Sequence, residues 1–352
     1  MKKLWNLQSD LFSQLVDLSA VKRVGVLAAL VAITFILSLS MGDSFISPLK
    51  VISIMIGNGS ELDTLIVQEF RMPRIFVALF AGMGLAVSGA ILQGIIRNPL
   101  ASPDVIGFSA GAGASVVAFL ALFSDANHSL TVSIGWMPVA AFIGALVTAM
   151  LVYSLSWTDG VTATRLVMIG VGIAALMQAI STVLMLVGPI YQASKATIWI
   201  TGSVNSATWQ QVKIIVPAIT CFIIITLLVT RHLNLQQFGD NVATSLGQGV
   251  QKTRLALLLL CTALVGSAVS FAGTIGFVGL IAPHIARRLV GSSFGSLIPV
   301  SACIGGILVV LADMIGRSMF SGIEVPAGVF TAAIGAPYFL YLLIKMQKGR
   351  RI

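Results

Sequence analysis

Residues 255–286 have the sequence LALLLLCTALVGSAVSFAGTIGFVGLIAPHIA, a run of 32 residues that contains no side chain charged at neutral pH. A single α-helix of this length would measure about 48 Å, whereas the apolar core of a bilayer is about 30 Å thick. Ala272, Gly273 and Gly276 lie near the middle of the run and favour a break there. The run therefore predicts two somewhat short membrane-spanning helices that are joined by a tight turn.

The composition of the whole chain indicates a polytopic membrane protein. Among its 352 residues, 57% are hydrophobic and 9% are charged, compared with about 25% charged residues in ordinary soluble domains. Charge-free segments of about 20 residues recur along the chain, which is the length that a helix needs to cross a bilayer. We therefore predict an all-α fold with ten transmembrane helices, at residues 24–41, 74–96, 105–123, 136–156, 165–187, 208–230, 254–271, 275–289, 296–315 and 326–344.

Glycine is abundant in this chain, with 34 residues, and it recurs inside the predicted spans, as at Gly82, Gly84 and Gly89. Because lipid provides no hydrophobic drive for helix association, membrane helices associate through close packing, which small residues permit. We therefore expect some of these glycines to lie where helices contact each other.

The net charge of +9 is explained by topology. Ten crossings would leave both termini on one side of the membrane, and 15 of the 21 Lys and Arg residues would lie on that side. The other six are Lys50, Arg71, Arg74, Lys195, Lys213 and Arg317. The positive-inside rule then predicts that both termini are cytoplasmic. The positive charge is therefore no indication of a nucleic-acid partner.

The chain is predicted to contain one transmembrane domain, at residues 24–345, between a cytoplasmic segment at 1–23 and a cytoplasmic tail at 346–352. The apolar run after Lys22-Arg23 lacks a convincing small-residue cleavage site, and we interpret it as a retained first helix. A polar segment at about 231–254 interrupts the domain and is predicted to be cytoplasmic.

A short amphipathic helix is predicted within this polar segment. Asp240 could accept backbone N–H groups at its start, and Gly247 or Gly249 suits the left-handed position at its end. Three apolar residues at spacing four would form a stripe along it: Phe238, Val242 and Leu246. A membrane protein that keeps such a helix outside the bilayer is expected to bind a partner through it.

The sequence contains no recognisable catalytic or metal-binding motif. No lysine directly follows a glycine, which excludes a P-loop of the form GxxxxGK[ST]. The histidines and cysteines lack the spacing of metal ligands: His128, His232, His284, Cys221, Cys261 and Cys303. We therefore predict a chain that is not an enzyme, has no catalytic residue and binds no metal or cofactor.

Three arginines are predicted near the outer membrane surface. Arg71 and Arg74 flank Pro73 before the second span, and Arg317 follows the ninth. Arginine is suited to bidentate binding of a carboxylate, so a partner with exposed Asp or Glu would fit. The alternative is anchoring to lipid headgroups, together with a local i,i+4 pair between Asp313 and Arg317. The spacing alone leaves both open.

Several separated motifs resemble the permeases of iron-siderophore and cobalamin ABC importers, the FecCD family. They are RMPR at 71–74, GAILQG at 89–94, RNPLASP at 97–103, GFVGLIAPHIAR at 276–287 and GAP at 335–337. The resemblance runs from about residue 43 to residue 345. It implies ten transmembrane helices and an ATPase on a separate chain, which is consistent with the missing P-loop.

The resemblance also implies roles for individual residues. A helix that docks in a cleft of the ATPase would involve Gly239, Asp240, Val242, Ala243, Leu246 and Gly247. Docking of an extracytoplasmic binding protein would involve Arg71, Arg74 and Arg317. The predicted gate residues, at the cytoplasmic end of the pathway, are Asn98, Ala163 and Thr164. The fifth span would line the pathway through Met168, Gly172, Leu176 and Gln178, with ordinary helix packing as the alternative for each.

The function implied is that of a permease subunit of a binding-protein-dependent ABC importer in the bacterial cytoplasmic membrane, with a ferric siderophore as the expected substrate. Expected partners are an identical or related second permease, two cytoplasmic ATP-binding subunits, the binding protein and membrane lipid. ATP and Mg would be bound by the partner ATPase. Alternatives are an importer for cobalamin or heme, an ion-coupled secondary transporter, and a scaffold that only anchors a soluble partner.

Overall fold

The computed structural model describes residues 4–9, 12–42, 44–124, 130–188, 190–319 and 324–349. His128 lies outside these residues. Two antiparallel strands come first, β1 (Leu4–Ser9) and β2 (Phe12–Asp17). The helices that follow are α1 (Leu18–Ser40), α2 (Pro48–Met55), α3 (Glu61–Thr64), α4 (Met72–Ile96), α5 (Pro103–Ile106), α6 (Phe108–Leu122), α7 (Met137–Leu155), α8 (Ala163–Val187), α9 (Ile190–Thr201), α10 (Trp209–Leu228), α11 (Thr230–Gln236), α12 (Asp240–Ser245), α13 (Val250–Ala272), α14 (Val278–Val290), α15 (Phe294–Ser318) and α16 (Ala327–Gly349).

Each of the ten predicted spans coincides with a helix of the structure: α1, α4, α6, α7, α8, α10, α13, α14, α15 and α16. Eight of these helices are long and apolar enough to cross a membrane within the described residues, and α6 is a shorter apolar helix. The charge-free run at 255–286 breaks where expected, since α13 ends at Ala272 and α14 begins at Val278. The protein is therefore a multi-pass membrane protein.

The structure differs from the prediction in the lengths of α6 and α14, in an N-terminal hairpin and in the additional helix α9. α14 has 13 residues and is about 20 Å long, so it is too short to cross the apolar core alone. The hairpin of β1 and β2 was not predicted, because two six-residue strands carry too little periodicity to be recognised. From Leu18 onward the fold is helical, as predicted.

α4 is the central helix of the bundle. Almost all of its residues are buried, and it packs against α10, α13, α14 and α15. α13 packs against α4 and also against α7, and α7 packs against α6. α8 lies at the periphery, where it packs mainly on α5 and α6 and also contacts α4, α7 and α9, and most of its surface is exposed in the single chain.

Glycines allow the closest helix contacts of this core, as their clustering predicts. A Cβ atom added at Gly89 of α4 would lie 1.8 Å from the carbonyl oxygen of Gly279 in α14. A Cβ at Gly82 would lie 2.3 Å from the carbonyl oxygen of Gly305 in α15. At both crossings the backbones touch, so a side chain of any size is excluded.

Candidate coupling site and outer arginine cluster

The polar segment folds into two short helices, α11 and α12, between α10 and α13. α12 ends as the sequence predicts, because Gly247 has a φ of +79° that suits glycine. The N–H of Gly247 donates to the carbonyl of Thr244 at 2.9 Å, and that of Gln248 donates to Ala243 at 3.0 Å. These two bonds form a Schellman motif, which satisfies the last carbonyls of the helix.

The start of α12 differs from the prediction, in which Asp240 caps the helix. Gly239, with a φ of +101°, occupies the N-cap position, and Asp240 is the first residue of the helix. The Asp240 carboxylate instead accepts two hydrogen bonds from Arg254 Nη2, at 2.9 and 3.0 Å, and lies 3.4 Å from Arg97 Nη2. Two guanidinium groups attract a carboxylate more strongly than backbone N–H groups do, which explains the difference.

Of the predicted apolar stripe, only Val242 lies within α12, since Leu246 is its C-cap residue and Phe238 precedes its N-cap. Phe238, Val242 and Leu246 are 70%, 46% and 62% exposed in the single chain. Ala243, which the resemblance places among the ATPase contacts, is fully buried against its own chain. Ala243 therefore holds α12 on the bundle, whereas the stripe is presented to the surroundings. Exposed apolar side chains on a helix otherwise held by ion pairs are typical of a protein-binding surface.

The predicted gate residues lie on two different segments. Asn98 follows the end of α4 and lines a cavity of about 240 Å³ together with Gln93, Arg97 and Arg287. Ala163 is the first residue of α8, next to the exposed Thr164, and neither lines this cavity. Their assignment to a gate stays a prediction.

Three of the predicted pathway residues, Met168, Gly172 and Leu176, form an open stripe along α8, whereas Gln178 lies on another side of the helix. Met168 and Leu176 are 70% and 50% exposed, Gln178 is exposed, and no atom lies within 4 Å of a Cβ built at Gly172. This exposure is compatible with a pathway, a second subunit or lipid. Their role therefore also stays a prediction.

Arg71 and Arg317 fasten the end of α1 to the bundle. Arg71 donates to the carbonyl oxygens of Leu39 and Ser44, at 2.7 and 2.6 Å. Arg317 donates to the carbonyl oxygen of Met41 at 2.7 Å and to Ser38. The last carbonyls of a helix lack partners within it, so the two guanidinium groups satisfy orphan acceptors of α1.

Arg71 is the last residue of a π-helix, Leu65–Arg71, which continues directly into α4. Pro73 has no N–H, and its ring clashes with the carbonyl four residues earlier, so a regular α-helical turn is disfavoured there. The N–H of Met72 accordingly donates to Val67, five residues back. Short π-helical segments of this kind often occur at functional sites.

Arg74 lies at the centre of a buried ion cluster. Its Nε donates to Asp313 Oδ1 at 2.9 Å, and its Nη1 donates to Glu324 Oε2 at 2.9 Å and to Asn205 Oδ1 at 3.0 Å. Arg317 Nε lies 3.4 Å from Asp313 Oδ2, which is the i,i+4 pair considered from sequence. An external carboxylate could therefore bind Arg74 fully only after Glu324 moves away.

The outer arginine cluster, which we define as Arg71, Arg74 and Arg317 and name after the side predicted from sequence, lines one open cavity of about 940 Å³. The three side chains are 7%, 8% and 5% exposed. Their convergence supports a common role at this end of the bundle, which is opposite to the end that carries Arg97 and α12. Binding of a partner by these arginines stays a prediction.

Replacing Asp313 with Asn is expected to lower the thermal stability of the purified protein. Asp313 is the anion shared by the buried Arg74 and Arg317, and breaking a buried ion pair costs about 3–5 kcal/mol. The matched control is Asp63→Asn, since the Asp63 partner Lys50 is 54% exposed and such pairs contribute little. Thermal unfolding in detergent gives the unfolding temperature of both variants. Equal unfolding temperatures would contradict a stabilising role of the ion pairs of Asp313.

The sequence did not reveal the partners of Asp240 and Arg74. From sequence, no partner is assigned to Arg97, Arg254 or Glu324, although Arg97 begins the RNPLASP motif. The one available signal was the scarcity of charge, because a charged residue near a membrane helix usually has a partner. That signal does not say which partner.

Comparison with known proteins assigns most of the chain to one family. The model of the FecCD transport family matches residues 30–345. The chain is 53% identical over 324 residues to the probable siderophore transport system permease protein YfhA of Bacillus subtilis (strain 168), covering 92% of this chain and 94% of that protein. It is 41% identical over 317 residues to the iron(3+)-hydroxamate import system permease protein FhuG of the same strain, covering 90% and 94%.

A solved structure agrees with the fold over nearly the whole chain. The TM-score is 0.81 at 29% identity, and the match covers 92% of this chain and 99% of that one. That structure is described as an inward-facing conformation of a transporter of the metal-chelate ABC type. The family match, the relatives and the helical bundle agree: this chain belongs to the FecCD transport family.

Proposed function

We propose that this chain is the permease subunit of an ABC importer that carries a ferric siderophore into the cell. One observation supports this function most strongly: in a FecCD family member without a P-loop, an exposed apolar stripe lies at one end of the bundle and the outer arginine cluster at the other. A permease of an ABC importer that has no P-loop of its own needs a contact for a separate ATPase.

The proposed assembly contains this permease, a second identical or related permease, two ATP-binding subunits and an extracytoplasmic binding protein. α12 faces the cytoplasm, as do both termini, in agreement with the distribution of Lys and Arg. ATP and Mg are bound by the ATPase subunits. The exposed face of α8 is available for the second permease and the pathway.

In the proposed mechanism, a loaded binding protein docks on the outer arginine cluster through carboxylates. One carboxylate replaces Glu324 at Arg74, since Glu324 is the more exposed of the two acidic partners, at 36% against 3% for Asp313. ATP binding then closes the ATPase subunits, and α12 moves with them as a rigid body. The substrate crosses without chemical change.

The names of the two relatives support the substrate class, since one refers to a siderophore and the other to an iron(3+)-hydroxamate. The exposed face of α8 also fits a large chelate, because Met168, Gly172 and Leu176 offer a surface without charge. A conduit without fixed charges binds a polar chelate weakly, and weak binding permits its release.

Two measurements test the proposal. Affinity purification in mild detergent, followed by mass spectrometry, is expected to recover an ATP-binding protein with this chain; its consistent absence would favour the scaffold. Cells lacking this permease are then supplied with labelled ferric hydroxamate, ferric catecholate, ferric citrate, cobalamin and heme. We expect that only an iron chelate depends on the permease for uptake, whereas dependence of cobalamin or heme alone would overturn the substrate assignment.

A further inference from the structure

One carboxylate at the start of α12 holds two arginines that belong to different parts of the bundle. Arg254 Nη2 donates to both oxygens of Asp240, at 2.9 and 3.0 Å. Arg97 Nη2 lies 3.4 Å from Oδ1 of the same carboxylate. Such charge-assisted hydrogen bonds are directional and about twice as strong as neutral ones. Asp240 therefore connects α12 to the N-terminal end of α13 and to the C-terminal end of α4.

Arg254 continues the connection to the segment that precedes α8. Its side chain is only 1% exposed, and Nη1 donates to the carbonyl oxygen of Val161. The side chain of Gln251 also binds the backbone of Val161. Its Oε1 accepts the Val161 N–H at 3.0 Å, and its Nε2 donates to the Val161 carbonyl oxygen at 3.4 Å. Val161 lies two residues before Ala163, where α8 and one predicted gate segment begin.

Arg97 forms the connection to the other predicted gate segment. It follows the last residue of α4 with a left-handed backbone, at a φ of 57°, and Asn98 comes next. Asn98 Oδ1 accepts the N–H of Leu100 at 2.9 Å, which shapes the turn after α4. The two arginines held by Asp240 thus lead to the two chain segments where the gate is predicted.

We propose that Asp240 is a positioning residue that transmits movement of α12 to both gate segments at once. The inference rests on the proposed function, since it assumes that an ATPase moves α12 through Val242 and Leu246. Those side chains point away from the bundle, whereas Ala243 is buried and Asp240 meets the arginines. One helix thus has an apolar face for the partner and an ionic contact toward the gate.

The physical basis is the burial of Arg254. A guanidinium that is 1% exposed loses most of its hydration, so its separation from the Asp240 carboxylate is unfavourable. When α12 moves, the ion pair is therefore expected to stay intact, so that α13 and the segment around Val161 move together with α12. Arg97 is 37% exposed and can rehydrate, so its link to Asp240 is expected to be the weaker of the two.

The test uses the complete assembly, reconstituted with its co-purified ATPase and binding protein, and ferric hydroxamate as the probe. Asp240→Asn removes the charge and keeps the shape. We expect uptake per ATP hydrolysed to fall by about tenfold, within the range typical of coupling between sites. The resemblance places Asp240 in the docking helix, but its carboxylate faces Arg97 and Arg254 of its own chain, so we expect the ATPase to remain bound and to hydrolyse ATP. Asp240→Glu should restore uptake, because it restores the anion. Asn241→Ala is the matched control, since Asn241 is exposed on the same helix.

Each result of this test decides the inference. Normal uptake per ATP in Asp240→Asn would overturn it, and so would loss of the ATPase from an otherwise folded complex, which would make Asp240 a contact residue. If Asp240→Asn does not fold, the variant Arg97→Gln is measured instead, because Arg97 is partly exposed and its replacement should not prevent folding. Reduced uptake per ATP in Arg97→Gln supports the inference, and unchanged uptake per ATP overturns it. Failure of the wild-type assembly to transport ferric hydroxamate, ferric catecholate or ferric citrate would instead refute the proposed function.

Discussion

Replacement of Leu246 with Asp is expected to abolish ATP-driven uptake while the permease remains folded in the membrane. Leu246 is 62% exposed in the single chain and belongs to the apolar stripe with Phe238 and Val242. If the stripe is buried against an ATPase, a carboxylate there must be desolvated without a partner, which is strongly unfavourable. Truncation of a central contact residue typically costs about 2–4 kcal/mol, or roughly 30- to 1000-fold in affinity.

The matched control for this variant is Thr244→Asp, which places the same charge on α12 but outside the stripe. Thr244 is exposed, so its replacement introduces no buried charge. Uptake and co-purification of the ATPase are measured for both variants, with thermal unfolding as the check on folding. If Leu246→Asp retains the ATPase and normal uptake, α12 is not the coupling helix.

A large effect on folding is also expected for Gly89→Ala. The added Cβ atom would lie 1.8 Å from the carbonyl oxygen of Gly279 and 2.5 Å from its carbonyl carbon, both of which are backbone atoms of α14. No side-chain rotation relieves this contact, so α4 and α14 must separate. Overpacking of a core costs about 1–3 kcal/mol and occasionally more, and an overlap with backbone belongs at the upper end.

Gly25→Ala is the control for this substitution. Gly25 also lies within a membrane-spanning helix, α1, but no atom lies within 4 Å of a Cβ built there. Alanine favours a helix by about 1 kcal/mol relative to glycine, so this variant should fold at least as well as wild type. Folded yield and thermal unfolding in detergent compare the two variants. Equal yield and equal unfolding temperature would show that α4 and α14 are not in contact at Gly89.

The helical bundle could be predicted from sequence because bilayer thickness and helix rise are fixed quantities. The run at 255–286 is too long for one crossing, and the structure indeed breaks it after Ala272. Close packing at Gly89 was anticipated from the clustering of small residues, although its partner Gly279 was not. α9 was missed, since a short helix between two spans has no length constraint that distinguishes it from a loop.

The candidate site was only partly predictable, for a different reason. The apolar stripe is a local pattern, so spacing alone revealed it. Asp240 also looked local, because an acid after a glycine suits an N-cap. Its carboxylate is attracted more strongly by Arg254, which lies 14 residues later in α13, and by Arg97 at the end of α4. Likewise, Arg74 and Asp313 are 239 residues apart, and their pairing follows from helix packing that no local spacing encodes.

The most direct test of the account is uptake into proteoliposomes that contain this permease and any second permease that co-purifies with it, with and without the co-purified ATPase. Labelled ferric hydroxamate and its binding protein are supplied at the outer side, and ATP at the side of α12. We expect uptake that requires both the ATPase and ATP and that persists without any ion gradient. Uptake by the permease alone, driven by an ion gradient and unaffected by ATP, would contradict the account.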